Sequence, residues 1–265
     1  MIDTDVPVAP VPVPERDGTL VVIPTLNERM NVATVIARVR AAVPAAHVLV
    51  VDDGSDDGTP ELVEDLAAAR GRIDVLRRRG PRGLGPAYRE GFAAGLAAGF
   101  DTLVQMDADL SHDPVDVPAL LEALDQGADL AIGSRYVDGG LTVNWPKRRE
   151  LLSRAGGWYA RRMLHCPVRD ITSGFRASRA DFLRRMDLES ISSTGYGFQI
   201  EMTNRACRLG AAITEVPIVF RERTAGASKM SGTIAIEALL MVARTAERNR
   251  RPAPAAEGSL VGGPG

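Results

Sequence analysis

Short apolar runs alternate with helical patterns through the first half of the chain, and this alternation limits the possible fold more than any other feature. Leu20-Val-Val-Ile23 is a β-branched run stopped by Pro24, and it reads as a buried strand. From Asn31 to Ala42 the apolar residues Val32, Val35, Ile36 and Val39 recur at helical spacing. Val48-Leu-Val-Val51 is a second strand, ending on Asp52 and Asp53. Thr59 reads as the cap of a helix with Pro60 at its first position, running toward Ala69. Ile73 to Leu76 gives a third strand, Pro86 to Ala98 a helix and Thr102 to Met106 a fourth strand. A helix over Val117 to Asp125 and a strand over Leu130 to Gly133 follow. Strands alternating with helices of this length predict an α/β fold with a mostly parallel, doubly wound sheet. Ligands of such sheets bind beyond the carboxyl ends of the strands.

The 265 residues, 45% of them hydrophobic, suffice for one substantial core. Residues 1–17 repeat Val-Pro and Ala-Pro steps, which favour an extended, disordered arm, and they lack the basic start and apolar stretch of a secretory signal. Residues 251–265 are rich in Pro, Gly and Ala and read as a disordered tail, leaving 18–250 as a single folded domain. The net charge of −2 offers no general electrostatic case for a nucleic-acid partner. No apolar run approaches the roughly 18–20 residues a bilayer span requires. Cys166 and Cys207 stand in no CxxC spacing and read as reduced, packed thiols of a cytoplasmic protein.

Two acidic loops stand where the sheet rule looks for chemistry. Asp107-Ala108-Asp109 places two carboxylates one residue apart at a strand end. Both can converge on a hard cation such as Mg²⁺, which commonly shares one or two carboxylates with a substrate's phosphates. A solvated acidic turn is the plain alternative, and the strand-end position favours the metal. Asp52-Asp-Gly-Ser-Asp-Asp-Gly-Thr59 ends the second strand, and its carboxylates can accept from ribose hydroxyls or a base N–H. It is no EF-hand loop, because Val63 falls where the twelfth-position glutamate belongs. Gly83-Leu-Gly85 is no dinucleotide fingerprint, since Tyr88 falls at the third glycine.

Eight strings in order, spread over nearly the whole of 18–250, resemble the family-2 glycosyltransferases, and within them the polyprenyl (dolichyl-type) phosphate mannosyltransferases. They are Ile23-Pro-Thr-Leu-Asn-Glu28, Val51-Asp-Asp-Gly-Ser-Asp-Asp-Gly-Thr59, Gly83-Leu-Gly-Pro-Ala-Tyr88 and Met106-Asp-Ala-Asp-Leu-Ser-His112. Gly133-Ser-Arg-Tyr136, Asp170-Ile-Thr-Ser-Gly-Phe-Arg176, Gly197-Phe-Gln-Ile-Glu201 and Arg223-Thr-Ala-Gly-Ala-Ser-Lys229 complete the set. The resemblance implies a GT-A fold, Mg²⁺ or Mn²⁺, and inverting transfer of mannose from GDP-mannose to a polyprenyl phosphate. Residue by residue, it implies that Asp107 and Asp109 hold the metal, with Ala108 between them at the nucleotide sugar. Pro24, Asn27, Glu28 and Asp52 would line the nucleoside pocket. Arg135 would face the reaction centre with Asp109. Arg149 and Ser153 would join Arg135 at the acceptor phosphate, and Arg223 and Lys229 would sit on a mobile loop over the donor. Leu26 stands where the family usually has an aromatic, and Ser111 where some members supply a glutamine to the metal.

A phosphate monoester has a second pKa near 6, so the acceptor arrives as an anionic nucleophile and needs no general base. The protein must instead supply positioning and cations. His112 reads as a structural residue, with a place behind the metal loop as the alternative, and His47 and His165 read as structural or surface residues. Between Trp145 and Cys166, six basic residues stand with one acid, Glu150, beside Leu151, Leu152, Trp158 and Tyr159. This pattern suits either a solvated helix packed on the sheet or a helix at the cytoplasmic membrane surface, interrupted or bent at Gly156-Gly157, and the implied lipid-phosphate acceptor favours the membrane. Ile234 to Ala246 reads as a helix that packs on the core, with shallow membrane contact as the alternative. The chain is expected to be peripheral, and a separate subunit could anchor it. The rivals are a family-2 enzyme using UDP-glucose or another acceptor, and a non-catalytic nucleotide-sugar or lipid-binding protein.

Overall fold

The computed structural model describes residues 18–191, 193, 195–222 and 232–250. Five strands build most of one sheet: β1 (Thr19–Thr25), β2 (His47–Asp52), β3 (Ile73–Arg77), β4 (Thr102–Gln105) and β5 (Leu130–Ser134). β6 (Leu141–Val143), β7 (Arg176–Arg179), β8 (Ile213–Pro217) and β9 (Val219–Arg221) follow. The helices are α1 (Arg29–Ala42), α2 (Thr59–Arg70), α3 (Leu84–Ala97), α4 (Val117–Asp125) and α5 (Lys147–Leu164). α6 (Ala180–Arg185), α7 (Tyr196–Arg208) and α8 (Gly232–Arg250) complete them.

The sheet order is β3-β2-β1-β4-β7-β5-β8, parallel except where β7 runs antiparallel to both β4 and β5. β1 lies between β2 and β4, so the chain turns to opposite sides of the sheet there, and the carboxyl ends of β1 and β4 border the crevice. Along β1 the pleat sends Leu20 and Val22 into one buried cluster, and Val21 and Ile23 into the other. The first cluster packs under Tyr88, Phe92, Phe182 and Phe198, and the second under Val32, Val35, Ile36 and Leu120. α3 lies unusually close to the sheet. A Cβ at Gly91 would stand 2.5 Å from Val22 Cγ1, and one at Gly95 the same distance from Leu20 Cδ2.

Four expectations change. Pro24 does not stop β1, which continues to Thr25. The Val22 carbonyl accepts from Met106 N on the β4 side, and Thr25 accepts from Asp53 N on the β2 side. Pro24 therefore turns its hydrogen-less nitrogen toward the side where pairing with β4 has ended at Gln105. Gly156-Gly157 does not interrupt α5, which runs unbroken from Lys147 to Leu164. The cost of about 1 kcal/mol per glycine is outweighed there by burial of Gly157, Ala160 and Leu164 along one face. Cys166 and Cys207 are not free thiols but a disulfide, because the end of α5 and the last turn of α7 bring their Cα atoms to 6.1 Å. Thr59 is not the cap of α2 but its first residue, behind Gly58 at φ 82°, with Pro60 second; its hydroxyl donates to Asp57 Oδ1 and accepts from Glu28 N, tying the second acidic loop to the start of α1.

α8 packs on the core along part of its length, as expected. Val242 and Ala246 are buried, while Leu239 and Leu240 are about half exposed at 43% and 52%. Among the described residues, no helix is long and apolar enough to cross a membrane.

Candidate active site

β4 ends at Gln105, and the loop beyond it carries the paired carboxylates. Asp107 Oδ1 accepts from the Tyr88 hydroxyl at 3.2 Å. Tyr88 is fixed by stacking with Phe92 and Phe198, at centroid distances of 5.8 and 5.9 Å. Burial, and then the negative charge of Asp107, raise the Tyr88 phenol well above its ordinary value, so it stays a donor. Asp109 Oδ1 accepts from Ser111 N at 3.1 Å and Ser111 Oγ at 2.6 Å. Ser111 thus orients the Asp109 carboxylate. Ala108, between the two aspartates, packs its side chain into the core with Met106. His112 stacks on Phe175 and meets Phe220 edge-on, with its Nδ1 3.5 Å from Asp107 N. Burial pushes its imidazole down to about 4 against the pull of Asp109, so it is neutral at pH 7.

Arg135 follows β5 directly and meets Asp170 in a fork. Nε donates to Oδ2 at 2.8 Å and Nη2 to Oδ1 at 2.7 Å, while the Arg135 backbone N–H also donates to Oδ2 at 3.0 Å. Burial alone would raise the Asp170 carboxyl, but the Arg135 guanidinium prevails and holds it below the ordinary carboxylate range. Glu215 on β8 fixes Asp170 in turn by accepting from its backbone N–H at 2.9 Å. The rings of Tyr136, Phe220 and Trp145 surround the Arg135 guanidinium at 5.0, 5.2 and 5.3 Å.

Arg149 and Ser153 stand one turn apart on α5, on the same face. Arg149 Nη1 donates to Glu222 Oε1 and Oε2 at 2.7 and 2.9 Å, and the Trp145 ring lies 5.7 Å from its guanidinium. Ser153 Oγ accepts from the Tyr136 hydroxyl at 2.8 Å. Trp145 and Phe220 flank or belong to the small β6–β9 ribbon, which thereby delivers two rings to one place.

One cavity of about 580 Å³ joins these groups. Asp107, Asp109, Arg135, Arg149 and Ser153 all line it, together with Leu152, Gly156, Trp158 and Val242. A Cβ at Gly156 or Gly157 would meet nothing within 4 Å, so the two glycines leave room in the cavity. The expected nucleoside residues form a separate group at the ends of β1 and β2. Asn27 takes a left-handed conformation at φ 59° and accepts from Asp56 N, and Glu28 accepts from Asn31 Nδ2. Asp52 accepts from Thr25 Oγ1, Gly54 N, and the N and Oγ of Ser55, so its carboxylate builds the loop. Its neighbour Asp53 pairs with buried Arg78 and accepts from Gly83 N at 2.6 Å, linking that loop to the start of α3. Arg223 and Lys229 lie outside the described residues.

The donor set suits a shared cation. Among the described residues, no three His, Cys, Asp or Glu side chains converge to cage a metal. Two carboxylates from one strand end, open to a cavity, instead match Mg²⁺ or Mn²⁺ completed by substrate oxygens. Sequence reasoning did not single out Tyr88, Asp170 or Trp145, nor Phe220 and Glu222. Tyr88 and Asp170 stand inside recurring strings, which was their available signal; Glu222 had none.

Residues 20–187 match the family model described as Glycosyl transferase family 2. The polyprenol monophosphomannose synthase of Mycolicibacterium smegmatis is 49% identical over 242 residues, 91% of each chain. The undecaprenyl-phosphate mannosyltransferase of Micrococcus luteus is 52% identical over 225 residues, 85% of this chain and 92% of that one. Among solved structures, glucosyl-3-phosphoglycerate synthase from Mycobacterium tuberculosis, in complex with Mn²⁺, UDP and glucosyl-3-phosphoglycerate, superposes with a TM-score of 0.65. That match covers 88% of this chain and 81% of the other at 24% identity, and it speaks for the shared GT-A fold alone. The length and identity of the sequence matches decide the family: the chain belongs to glycosyl transferase family 2.

Proposed function

We propose that the chain transfers mannose from GDP-mannose to a polyprenyl monophosphate, with inversion at the anomeric carbon. The observation that carries this reading is a single cavity bringing the Asp107–Asp109 pair together with Arg135, Arg149 and Ser153 under apolar walls. A carboxylate pair alone suits a nucleotide diphosphate with its cation. Two arginines beside Leu152, Trp158 and Val242 suit an anion attached to a hydrocarbon chain. The names of the two close relatives agree with that chemistry.

Asp107 and Asp109 hold Mg²⁺ or Mn²⁺, which when bound offsets charge on the leaving diphosphate. Tyr88 and Ser111 orient those carboxylates through their hydroxyls. Pro24, Asn27, Glu28 and Asp52 shape the nucleoside end of the crevice, and Arg223 and Lys229 serve the donor. Arg135, Arg149 and Ser153 receive the acceptor phosphate. An oxygen of that phosphate forms the bond to the anomeric carbon as the bond to the diphosphate oxygen breaks with its electron pair. The acceptor phosphate passes from a charge of about −2 to −1, because its second pKa lies near 6 and the product is a diester. No proton moves, and His112, neutral and packed between rings, is not required as a base.

The exposed side of α5 presents Leu151 and Trp158, 70% and 66% exposed, beside Arg148, Arg154 and Arg162, and α8 adds Leu240. Such a face suits peripheral contact with anionic lipid at the cytoplasmic surface, at about 1 kcal/mol per basic residue. A separate anchoring subunit would strengthen that contact.

The test is a donor panel of GDP-mannose, GDP-glucose, UDP-glucose and UDP-galactose, each supplied with undecaprenyl phosphate and Mg²⁺ or Mn²⁺. Mass spectrometry of the extracted lipid should find a hexosyl phosphodiester with GDP-mannose. Transfer from UDP-glucose instead would overturn the donor assignment.

A further inference from the structure

Two arginines that line the cavity are paired with carboxylates in different ways. Arg135 is gripped by Asp170 through two guanidinium nitrogens and its own backbone N–H, and the Asp170 side chain is fully buried. Arg149 reaches Glu222 through Nη1, which serves both carboxylate oxygens, and the Glu222 side chain keeps 24% of its surface exposed where it lines the cavity. The first pair is a permanent fixture. The second has the geometry and exposure of a pair that another anion can replace. The backbone around Glu222 need not move for this: its N–H donates to the Val143 carbonyl, and Arg221 N–H to the Ser111 carbonyl. Trp145, against the Arg149 guanidinium, keeps that cation in place while its partner changes.

We infer that Glu222 is an internal stand-in for the acceptor phosphate: it holds Arg149 between turnovers, yields it to the dianionic acceptor, and reclaims it from the monoanionic product diester. This rests on the reading of Arg149 as a ligand of the acceptor phosphate. Loss of one negative charge on transfer weakens the hold of Arg149 on the phosphate, whereas the Glu222 carboxylate keeps its charge. Glu222 thus costs some acceptor affinity and speeds product departure. It acts through Arg149 and is a positioning residue.

Calorimetric titration of farnesyl phosphate, and of its methyl phosphodiester as a product-like monoanion, tests this in wild type, Glu222→Gln and Arg149→Ala. Both ligands should bind Glu222→Gln about fivefold more tightly, the upper range for a pair this exposed. Rapid-quench kinetics of the same variant should show a product burst followed by slower turnover, with KM lowered alongside kcat. Glu222→Ala, which leaves no amide to hold Arg149, should behave alike. Unchanged or weaker binding in both Glu222 variants, while Arg149→Ala loses the acceptor, overturns the stand-in and leaves the Arg149 reading intact. A fall in kcat with no burst and unchanged binding marks Glu222 as a general base and also overturns it. Wild-type binding by Arg149→Ala overturns both.

Discussion

Arg135 and Asp170, 35 residues apart in the chain, close a fork of two hydrogen bonds at 2.7 and 2.8 Å against the cavity. The carboxylate is almost wholly buried, so Arg135 stands on a base that solvent barely reaches. Asp170→Asn keeps the shape but removes the charge. We expect a loss of about 3 kcal/mol in urea unfolding at pH 7, as for breaking a buried pair. The Asp170 carboxyl is held below its ordinary range, so its stabilisation is complete above the unfolded value near 4 and disappears as pH falls through the folded value. The difference between wild type and Asp170→Asn should therefore shrink below about pH 4. A constant difference from pH 7 to pH 2 would deny the ionised pair.

Asp109→Ala removes one of the two carboxylates expected to share the cation. Transfer should fall below detection while the thermal unfolding midpoint stays within a few degrees of wild type. Mn²⁺ titration followed by electron paramagnetic resonance supplies the independent readout, and tight Mn²⁺ binding by the variant would remove Asp109 from the metal assignment.

Tyr88→Phe isolates one hydrogen bond. The ring remains between Phe92 and Phe198, and the hydroxyl donated to Asp107 is lost. Removing such a partner of a metal-binding carboxylate typically costs about tenfold or more in metal affinity, and that is the expected change in the Mn²⁺ dissociation constant in the presence of GDP.

Gly156→Leu tests the room in the cavity. A Cβ there meets nothing within 4 Å, and the position lies inside a helix, so the fold should tolerate or gain from the change. KM for a long polyprenyl phosphate should rise at least tenfold, with the Kd for GDP unaltered. Equal KM values in wild type and variant would place the prenyl chain elsewhere.

The parallel core of the fold is legible in the sequence because β1, β2, β4 and β5 are apolar runs whose period and bounding residues carry the signal locally. The placement of Asp107 and Asp109 is legible for the same reason, since they stand one residue apart just beyond the end of β4. Their supports are not. Tyr88 reaches Asp107 from another element, Glu222 reaches Arg149 across 73 residues, and Cys166 joins Cys207 across 41. No periodicity encodes such contacts. Gly156 and Gly157 show the opposite failure: local propensity predicts a break, and the packing of one face of α5 overrides it. Asp52 shows a different limit, since a carboxylate in a loop can serve a ligand, the loop itself or both, and its four donors reveal the loop role that no local pattern encodes.

The most direct measurement offers the protein GDP-mannose and Mn²⁺ with either farnesyl phosphate or farnesol, and follows mannosyl product by mass spectrometry at pH 7.5. A mannosyl phosphodiester is expected from the phosphate and no glycoside from the alcohol, because Arg135 and Arg149 line the cavity beside Ser153 and suit an anionic nucleophile. Mannosylation of farnesol at a comparable rate would contradict it.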